Sequence, residues 1–566
     1  MKKMKKELWI ILVISSLIYC SCKSSSNDNT NESNEYIYEI PAGRTKVSFP
    51  SVCNGKKAFA IYLNQTSGNV IKGNGGIKFN QINENAYRSA SENDGMNIYK
   101  DSIEFEDGGR RSEVHFELPF LPDKNNNFAR TIDANSHYSY NERTGNINET
   151  GEFYAQMGPS NTVADVTTKA FTLKATGTHC KIWYFNTGKD ADYFNTYNFQ
   201  KLANAVDSIF IKETQIFGSN LFSAQNCITV TSDNKLNVLI YDLYNDRVTS
   251  DSSEGYQDNG VMGFQRPMDF FLNQSLDDNK KFSNECEVIN IDSYYLETAE
   301  KDAISTLAHE FTHLLVFCHK YGYEDTWFTE MLAMCSEDIF QQTLGLTDNQ
   351  TAKGRFNVTF NSPWKGFKNW PQGDVEDPDI GYLYANTYAF GAYLMRNYGG
   401  INLIQQIATN NYANEDAITM ALQSLGFQED FTTVLKKFGA IYVYTDSNTL
   451  YSLNKSVTQN ISGTTYNLTA INLNDYVFGL YNSEAELTAD VQANWYSQGR
   501  RYGRVNTNSG QKYAVTGTRI FKSNYILTDP IKTYGFVVYY LGIVNSNQVY
   551  SVAPVSNMTT IICIKD

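Results

Sequence analysis

The amino-acid sequence predicts a multidomain protein in which an α+β domain is flanked by N-terminal and C-terminal all-β, sandwich-like domains. The chain has 566 residues, which is room for three or four domains at roughly 150 residues each. Hydrophobic residues make up 42% and charged residues 19%, so the chain can form apolar cores and does not have a disordered composition. The order of strand-like and helix-like patterns supplies the domain boundaries.

The first of these elements, residues 1–22, has the pattern of a signal peptide. A lysine-rich start precedes an apolar run that is too short to cross a bilayer. The run ends at two cysteines and resembles the lipobox of bacterial lipoproteins. We expect Cys22, which follows the small Ser21, to be the lipidated residue. Cys20 is the alternative because Leu17 stands three positions before it, and an ordinary secretory signal is the other interpretation.

Residues 23–36 are rich in Ser and Asn, as expected for a flexible tether. A lipid on Cys22 implies a membrane-anchored protein of the bacterial cell envelope. Lys23, rather than an aspartate, follows that cysteine, which by analogy with a retention rule favours the outer membrane or the cell surface. No other segment approaches 18 consecutive apolar residues, so no further membrane crossing is predicted.

Three patterns follow the tether. Residues 37–177 alternate short strand patterns with loops rich in Asn, Gly and Ser, which predicts an N-terminal β-sandwich. At about residue 178 the pattern changes to strand, helix and strand, and helical patterns continue, so we predict an α+β domain over 178–450. Strand patterns return after that point, and a C-terminal β domain is predicted over 455–566.

The net charge argues against a nucleic-acid partner, and the placement of the cysteines argues against a cysteine-based metal site or disulfide scaffold. The formal net charge is -14, so the chain has no basic surface excess with which to bind a phosphate backbone, and we predict no nucleic-acid partner. The cysteines after Cys22 are scattered and form no CxxC pair. A cysteine zinc site or a disulfide scaffold is therefore not indicated.

One helix of the α+β domain carries a metal-binding motif. Apolar residues spaced by three and four predict a helix over 298–319, and His309-Glu310-Phe311-Thr312-His313 within it has the form HExxH. Positions i and i+4 share a helix face, so both imidazoles can reach one metal ion. Glu310 is offset by about 100° from His309, which aims its carboxylate at a metal-bound water. The motif predicts Zn²⁺ held by His309 and His313.

A catalytic zinc needs a third protein ligand. His319 stands six residues after His313, but Val316 continues the helix between them. His319 is therefore carried about 240° around the helix axis from His313, and we expect it to miss the metal. A histidine in the last helical turn is also favoured by the helix dipole.

We expect the third ligand to be a glutamate from the next predicted helix, at about 327–344. Glu324 precedes that helix, whereas Glu330 and Glu337 are seven residues apart and share one of its faces. Glu330 lies one turn into the helix and is assigned as the ligand. Glu337 or Asp338 could then orient a zinc-bound histidine, although a solvated helix face is the alternative for both.

The run AHEFTHLLVFCHKYGYEDTWFTEMLAMCSEDIF resembles the hyicolysin-like neutral metalloproteases, whose pattern is AHEFxH followed by WxxEGxSxxxED. Met331 replaces the usual glycine and Ala333 the usual serine, and neither change removes a ligand. The resemblance covers about 300–445. It implies a gluzincin, thermolysin-like catalytic domain with zinc bound by His309, His313 and Glu330.

Two further strings bear on the reaction. Tyr388 begins YAFG, which is similar to the Tyr-x-x-Gly of gluzincin aminopeptidases, and the resemblance implies that its hydroxyl stabilises the oxyanion. Tyr384, one turn earlier, is the alternative. The string GVMGF at 260–264 lacks the acidic residue of the aminopeptidase GxMEN pattern, which argues against amino-terminal trimming. As an edge strand it could instead pair with an extended peptide.

These observations predict a zinc endopeptidase that acts on extracellular proteins or peptides, with Glu310 as general base and Tyr388 as a second catalytic residue. A surface-binding or adhesion lipoprotein with a vestigial or structural zinc site is the alternative from another class. A zinc hydrolase acting on a different bond is a third possibility.

Overall fold

A computed structural model describes part of the chain. Residues 1–35 lie outside the described residues, so the predictions for the signal peptide, for Cys20 and Cys22 and for nearly all of the tether fall there. No helix within the described part is long and apolar enough to span a membrane. The described residues are 36–72, 76–78, 103–104, 139–141, 145–158, 165–188, 191–218, 229–231, 233–247, 261–271, 273, 278, 281–320, 322–356, 362–371, 379–447, 449, 451–496, 502–507, 510–553 and 555–566.

The described chain contains helices and strands in the following order. The strands are β1 (Tyr36–Ile40), β2 (Lys46–Val47), β3 (Lys57–Leu63), β4 (Gly76–Lys78), β5 (Ile103–Glu104), β6 (Ser139–Asn141), β7 (Thr150–Gln156), β8 (Val166–Thr176), β9 (Cys180–Tyr184), β10 (Thr229–Thr231), β11 (Leu236–Tyr241), β12 (Gly263–Phe264), β13 (Val288–Asp292), β14 (Val457–Ile461), β15 (Thr464–Leu468), β16 (Val477–Tyr481), β17 (Tyr502–Thr507), β18 (Gly510–Thr516), β19 (Phe521–Lys522), β20 (Phe536–Ile543), β21 (Tyr550–Ala553) and β22 (Thr559–Lys565). The α-helices are α1 (Ala191–Thr196), α2 (Phe199–Phe217), α3 (Ser293–Thr298), α4 (Glu300–Lys320), α5 (Thr326–Leu344), α6 (Ile380–Asn397), α7 (Ile401–Thr409), α8 (Asn414–Ser424), α9 (Phe431–Phe438) and α10 (Glu484–Asn494).

A six-stranded sheet in the order β12-β13-β11-β9-β8-β7 supports the helices of the α+β region. Strands β9, β11 and β13 are parallel, whereas β12 pairs antiparallel with β13 at one edge. Every residue of the three parallel strands is buried, as expected for strands that are covered on both faces. The mixed helix and sheet content agrees with the predicted α+β architecture.

A five-stranded sheet in the order β1-β22-β3-β20-β19 joins the two ends of the chain. Strand β3 pairs antiparallel with both β20 and β22, and all but the first of its residues are buried. Strands β7 and β8, in contrast, belong to the six-stranded sheet. This pairing corrects the prediction of separate β domains over 37–177 and 455–566, because a strand's own pattern does not specify its partner in the sequence.

The predicted helix over 298–319 is confirmed as α4, and the one over 327–344 is confirmed as α5. Gly322, with φ of 72°, follows α4, and Gly345, with φ of 64°, is the left-handed C-cap of α5. Helix α5 packs between α4 and α6 and is buried along most of its length. It can therefore present side chains to two neighbouring helices at once.

Candidate metal centre

Three donor groups from α4 and α5 converge in the structure. The Nε2 atoms of His309 and His313 lie 3.0 Å apart. From α5, the Glu330 carboxylate places Oε2 3.3 Å from His309 Nε2 and Oε1 3.2 Å from His313 Nε2. Both His309 and Glu330 are fully buried. The structure therefore brings together the two histidines of the motif and the glutamate predicted as third ligand.

This triangle has the dimensions and chemistry of a zinc site. Donors about 2.0–2.1 Å from a tetrahedral zinc lie roughly 3.3 Å from one another. His309 Nδ1 bonds the Glu337 carboxylate at 2.8 Å, and with that carboxylate accepting, the Nδ1 atom carries the proton. Nε2 then presents its lone pair towards His313 and Glu330. Electron-pair donors this close repel one another, and a cation between them turns the repulsion into coordination.

Each histidine is oriented through its second ring nitrogen. Glu337 holds His309, as described above, and Thr329 Oγ1 lies 2.8 Å from His313 Nδ1. Glu330 and Glu337 are two turns apart on α5, so one face of that helix supplies both the third donor and the partner of His309. Such partners fix the ring orientation and raise the basicity of the ligand. Thr329 was not singled out from the sequence, although its position directly before Glu330 places it on the side of α5 that meets α4.

Glu310 lies beside the three donors. Its ligand atom and those of His309 and His313 all fall within 4.8 Å of one another, and its exposed fraction is 2%. Distance alone would therefore admit Glu310 as a ligand. The shorter contacts of Glu330, made from the opposite helix, favour Glu330 as ligand and leave Glu310 beside the metal position.

The hydroxyl of Tyr388 has a different partner from the one expected. Tyr388 is fully buried, and its hydroxyl donates to Asp338 Oδ2 at 2.9 Å. Burial and the neighbouring Asp338 raise the pKa of this phenol well above its ordinary value. Tyr384 is also buried and packs against Trp370, with ring centroids 4.7 Å apart. The contact with Asp338 differs from the expectation that the Tyr388 hydroxyl faces a substrate carbonyl, because a Tyr-x-x-Gly string does not specify which side of α6 meets the site. The alternative, Tyr384, stays a prediction.

Asp338, the alternative to Glu337 for orienting a histidine, instead pairs with two buried cations. Its carboxylate pairs with Arg396 at 2.8 Å and with Lys353 at 3.0 Å, and all three side chains are buried. Burial alone would raise the pKa of Asp338, but the two cations outweigh burial and lower it to about 2. Asp338 is therefore ionised, and the histidine partner is Glu337.

His319 lies away from the donor triangle, as the helix geometry predicts. A β-carbon added to Gly218, after α2, would overlap the His319 ring, so the ring lies against that glycine. Burial, assisted by the adjacent Lys320, lowers the pKa of His319 to about 4. His319 is thus a neutral packing residue in this structure rather than a charged helix cap. Glu324 contributes to the electrostatic environment of Lys320.

A buried glutamate that the sequence reasoning missed lies under the motif. Glu213, on α2, is fully buried, and its Oε2 accepts a hydrogen bond of 3.1 Å from Thr312 Oγ1. Burial raises its pKa well above the ordinary value, which favours the neutral form of this carboxyl. Its position within the apolar face of α2, between Phe210 and Ile216, was the only available signal, since a glutamate is rarely buried without a partner.

The last two residues of the GVMGF string form the edge of the described sheet nearest the motif helix. Gly263 and Phe264 make up β12, and Met262 Sδ lies 3.8 Å from Thr306 Oγ1 on α4. A β-carbon on Gly263 would lie 2.8 Å from the Asn290 carbonyl oxygen and 2.9 Å from Thr306 Cγ2. Glycine therefore permits the close approach of the edge strand to α4.

Comparison with known proteins agrees with this geometry. The chain is 27% identical over 236 residues to the neutral metalloprotease ShpI of Staphylococcus hyicus. The match covers 37% of this chain and 48% of that protein, so the chain spans about half the length of this relative. No family model matches the chain. Over part of its length the chain is thus similar to a metalloprotease, and the same chain carries a group of side chains that could hold a metal ion.

Proposed function

We propose that the chain is a zinc-dependent endopeptidase. The observation that carries this proposal is the convergence of His309 Nε2, His313 Nε2 and the Glu330 carboxylate within 3.0 to 3.3 Å of one another, with Glu310 beside them. The likeness to a neutral metalloprotease over part of the chain supports the same class.

The protein side of the reaction follows from the positions of the side chains. Zinc held by His309, His313 and Glu330 would act as a Lewis acid and would lower the pKa of a coordinated water to about 7. The Glu310 carboxylate takes a proton from the water that attacks the peptide carbonyl and delivers it to the leaving amine. Glu337 supports this step by holding His309 in the tautomer whose Nε2 binds the metal. We assign Tyr388 no contact with the substrate.

The lack of an acidic residue in GVMGF supports internal cleavage over amino-terminal trimming. Among the described strands β12 is at the edge of its sheet, and it lies against α4. An extended peptide that pairs with β12 would be held by backbone hydrogen bonds, which recognise no particular free terminus. We propose proteins or peptides outside the cytoplasm as substrates.

The envelope location is proposed from the sequence alone. The pattern of residues 1–22 supports a lipid on Cys22, or on Cys20, and an anchor at the outer membrane or cell surface. Metabolic labelling with a fatty acid tests this, since the Cys22→Ala variant should lose the label if Cys22 is the acylated residue. Retention of the label in that variant and its loss from Cys20→Ala would reassign the anchor.

The function is tested with purified residues 23–566 and an unfolded protein as substrate. New peptide ends are mapped by mass spectrometry with and without a zinc chelator. We expect internal cuts that the chelator abolishes and that are lost in Glu310→Gln, while that variant keeps its zinc. A folded, zinc-loaded wild-type chain that makes no cuts would contradict the proposal and would favour the surface-binding alternative.

A further inference from the structure

A buried ion network joins the metal-binding face of α5 to the rest of the fold. Asp338 directly follows Glu337, so its side chain leaves α5 about 100° around the axis from the one that holds His309. Its Oδ2 atom accepts from Arg396 at 2.8 Å and from the Tyr388 hydroxyl at 2.9 Å. Its Oδ1 atom lies 3.0 Å from Lys353 Nζ. Helix α5 is thus bonded to α4 through Glu337 and to α6 through Asp338.

The network extends beyond α5 and α6. The second guanidinium nitrogen of Arg396 donates to the Thr469 backbone oxygen at 2.7 Å. Lys353 Nζ also donates to Thr469 Oγ1 at 2.5 Å. Thr469 directly follows β15, in a segment that the sequence assigned to the C-terminal β domain. The buried ion network that holds α5 therefore includes a residue, Thr469, outside the predicted α+β domain.

Stability alone does not account for such a network. Two buried charges are desolvated at a large cost, and well-packed apolar residues of similar volume are often as stabilising or more so. A buried ionic contact does, however, specify one geometry, because its partners tolerate little displacement. The network is therefore suited to fixing the position of α5.

The metal centre needs that position to be accurate. Side-chain ends lie about 5–6 Å from a helix axis, so a rotation of α5 by about 10° would move the Glu330 carboxylate by about 1 Å. Metal–ligand distances are held to within about 0.2 Å. A small rotation would displace both Glu330 and Glu337, since the two share one face of α5.

We infer that Asp338, held by Arg396 and Lys353, is a positioning residue for the metal centre: it fixes the rotation of α5 and thereby aims Glu330 and Glu337 at the metal and His309. This inference rests on the proposed function, because it assigns the donor triangle to zinc. The contacts of Asp338 are with Arg396, Lys353 and the Tyr388 hydroxyl rather than with the donor triangle.

The test compares Asp338→Asn with Asp269→Asn. Asp269 forms a similar buried pair with Arg266 at 3.0 Å, but it lies near the six-stranded sheet and outside α5. Zinc affinity is measured by competition with a chromophoric chelator, under conditions in which each metal-free variant is folded by circular dichroism. We expect Asp338→Asn to weaken zinc binding by about 10- to 100-fold and Asp269→Asn to change it less than twofold. Both variants should lower the urea midpoint of unfolding.

Arg396→Lys is the second variant, because Asp338→Asn leaves two buried cations without the carboxylate that they share and so risks a folding defect. It keeps the positive charge but replaces the two guanidinium nitrogens that bond Asp338 and Thr469 separately by a single ammonium, and we expect zinc affinity to fall about 3- to 10-fold. Unchanged zinc affinity in Arg396→Lys, or equal losses in the folded Asp338→Asn and Asp269→Asn variants, would overturn the positioning role.

The two proposals fail in different ways. A wild-type chain that binds zinc but cuts no protein contradicts the proposed function, and the affinity comparison still decides the role of Asp338. A wild-type chain that cleaves protein in a zinc-dependent manner, with zinc affinity unaltered in the network variants, contradicts only the positioning role.

Discussion

Replacing Glu337 by Gln tests the support of His309 without removing a zinc ligand. The Glu337 carboxylate and the His309 Nδ1 atom are 2.8 Å apart, and both side chains are fully buried. An amide oxygen can still accept from Nδ1, but the charge is lost. A hydrogen bond to a charged group contributes about 1.5–3 kcal/mol and a neutral one about 0.5–1.5 kcal/mol. The difference of about 1–1.5 kcal/mol corresponds to a loss of roughly tenfold in zinc affinity.

The assay is chelator competition at pH 7, and Glu213→Gln is the matched control. Glu213 is equally buried and also touches α4, through Thr312. Burial raises its pKa well above the ordinary value, and the protonated carboxyl that burial favours is nearly isosteric with an amide. We expect less than a twofold change in zinc affinity for this control. An unaltered zinc affinity in Glu337→Gln, or an equal loss in Glu213→Gln, would refute the reasoning.

Three other variants test the remaining assignments. Tyr388→Phe should lower the free energy of unfolding by about 1–3 kcal/mol and change kcat less than tenfold. A loss of about 100-fold or more in kcat would instead indicate that the hydroxyl stabilises the oxyanion. The pKa of His319 is lowered by burial and Lys320 from 6.5 to about 4, so the native state favours the neutral ring and stability falls as the pH drops from 6.5 through 4. Urea titrations should show that His319→Gln loses up to about 3 kcal/mol less than wild type over this interval, and equal losses would contradict the burial of this ring. Gly263→Ala should destabilise the chain by about 1–3 kcal/mol through contact with the Asn290 carbonyl and Thr306, which urea unfolding measures, and an unchanged midpoint would show that β12 can move away from α4.

The helices of the metal centre could be predicted from the sequence because the residue patterns that specify them lie within short stretches of the chain. The HExxH spacing places His309 and His313 on one helix face, and the seven-residue interval does the same for Glu330 and Glu337. The same geometry correctly kept His319 from the donors. These assignments depend on residues within a few turns of one another and on a short connection between two helices.

The remaining features depend on contacts between distant segments. The pairing of β3 with β20 and β22 brings together strands from the two ends of the chain, and no turn signal links them. The Tyr388 hydroxyl and Asp338 meet only because α5 and α6 pack together. Glu213 reaches Thr312 from a helix about a hundred residues earlier. A single sequence does not show which distant segments pack together. The Tyr-x-x-Gly string therefore predicts a substrate contact for Tyr388 that the packing of α5 against α6 does not provide.

The ligand set of the bound metal tests the central claim most directly. The zinc X-ray absorption spectrum of the loaded wild-type chain should show four nitrogen or oxygen neighbours at about 2.0–2.1 Å, with the scattering signature of two imidazoles. Glu330→Ala should weaken zinc binding and change this spectrum. A chain that retains no zinc, a spectrum with sulfur neighbours, or an unchanged spectrum in Glu330→Ala would contradict a centre built from His309, His313 and Glu330.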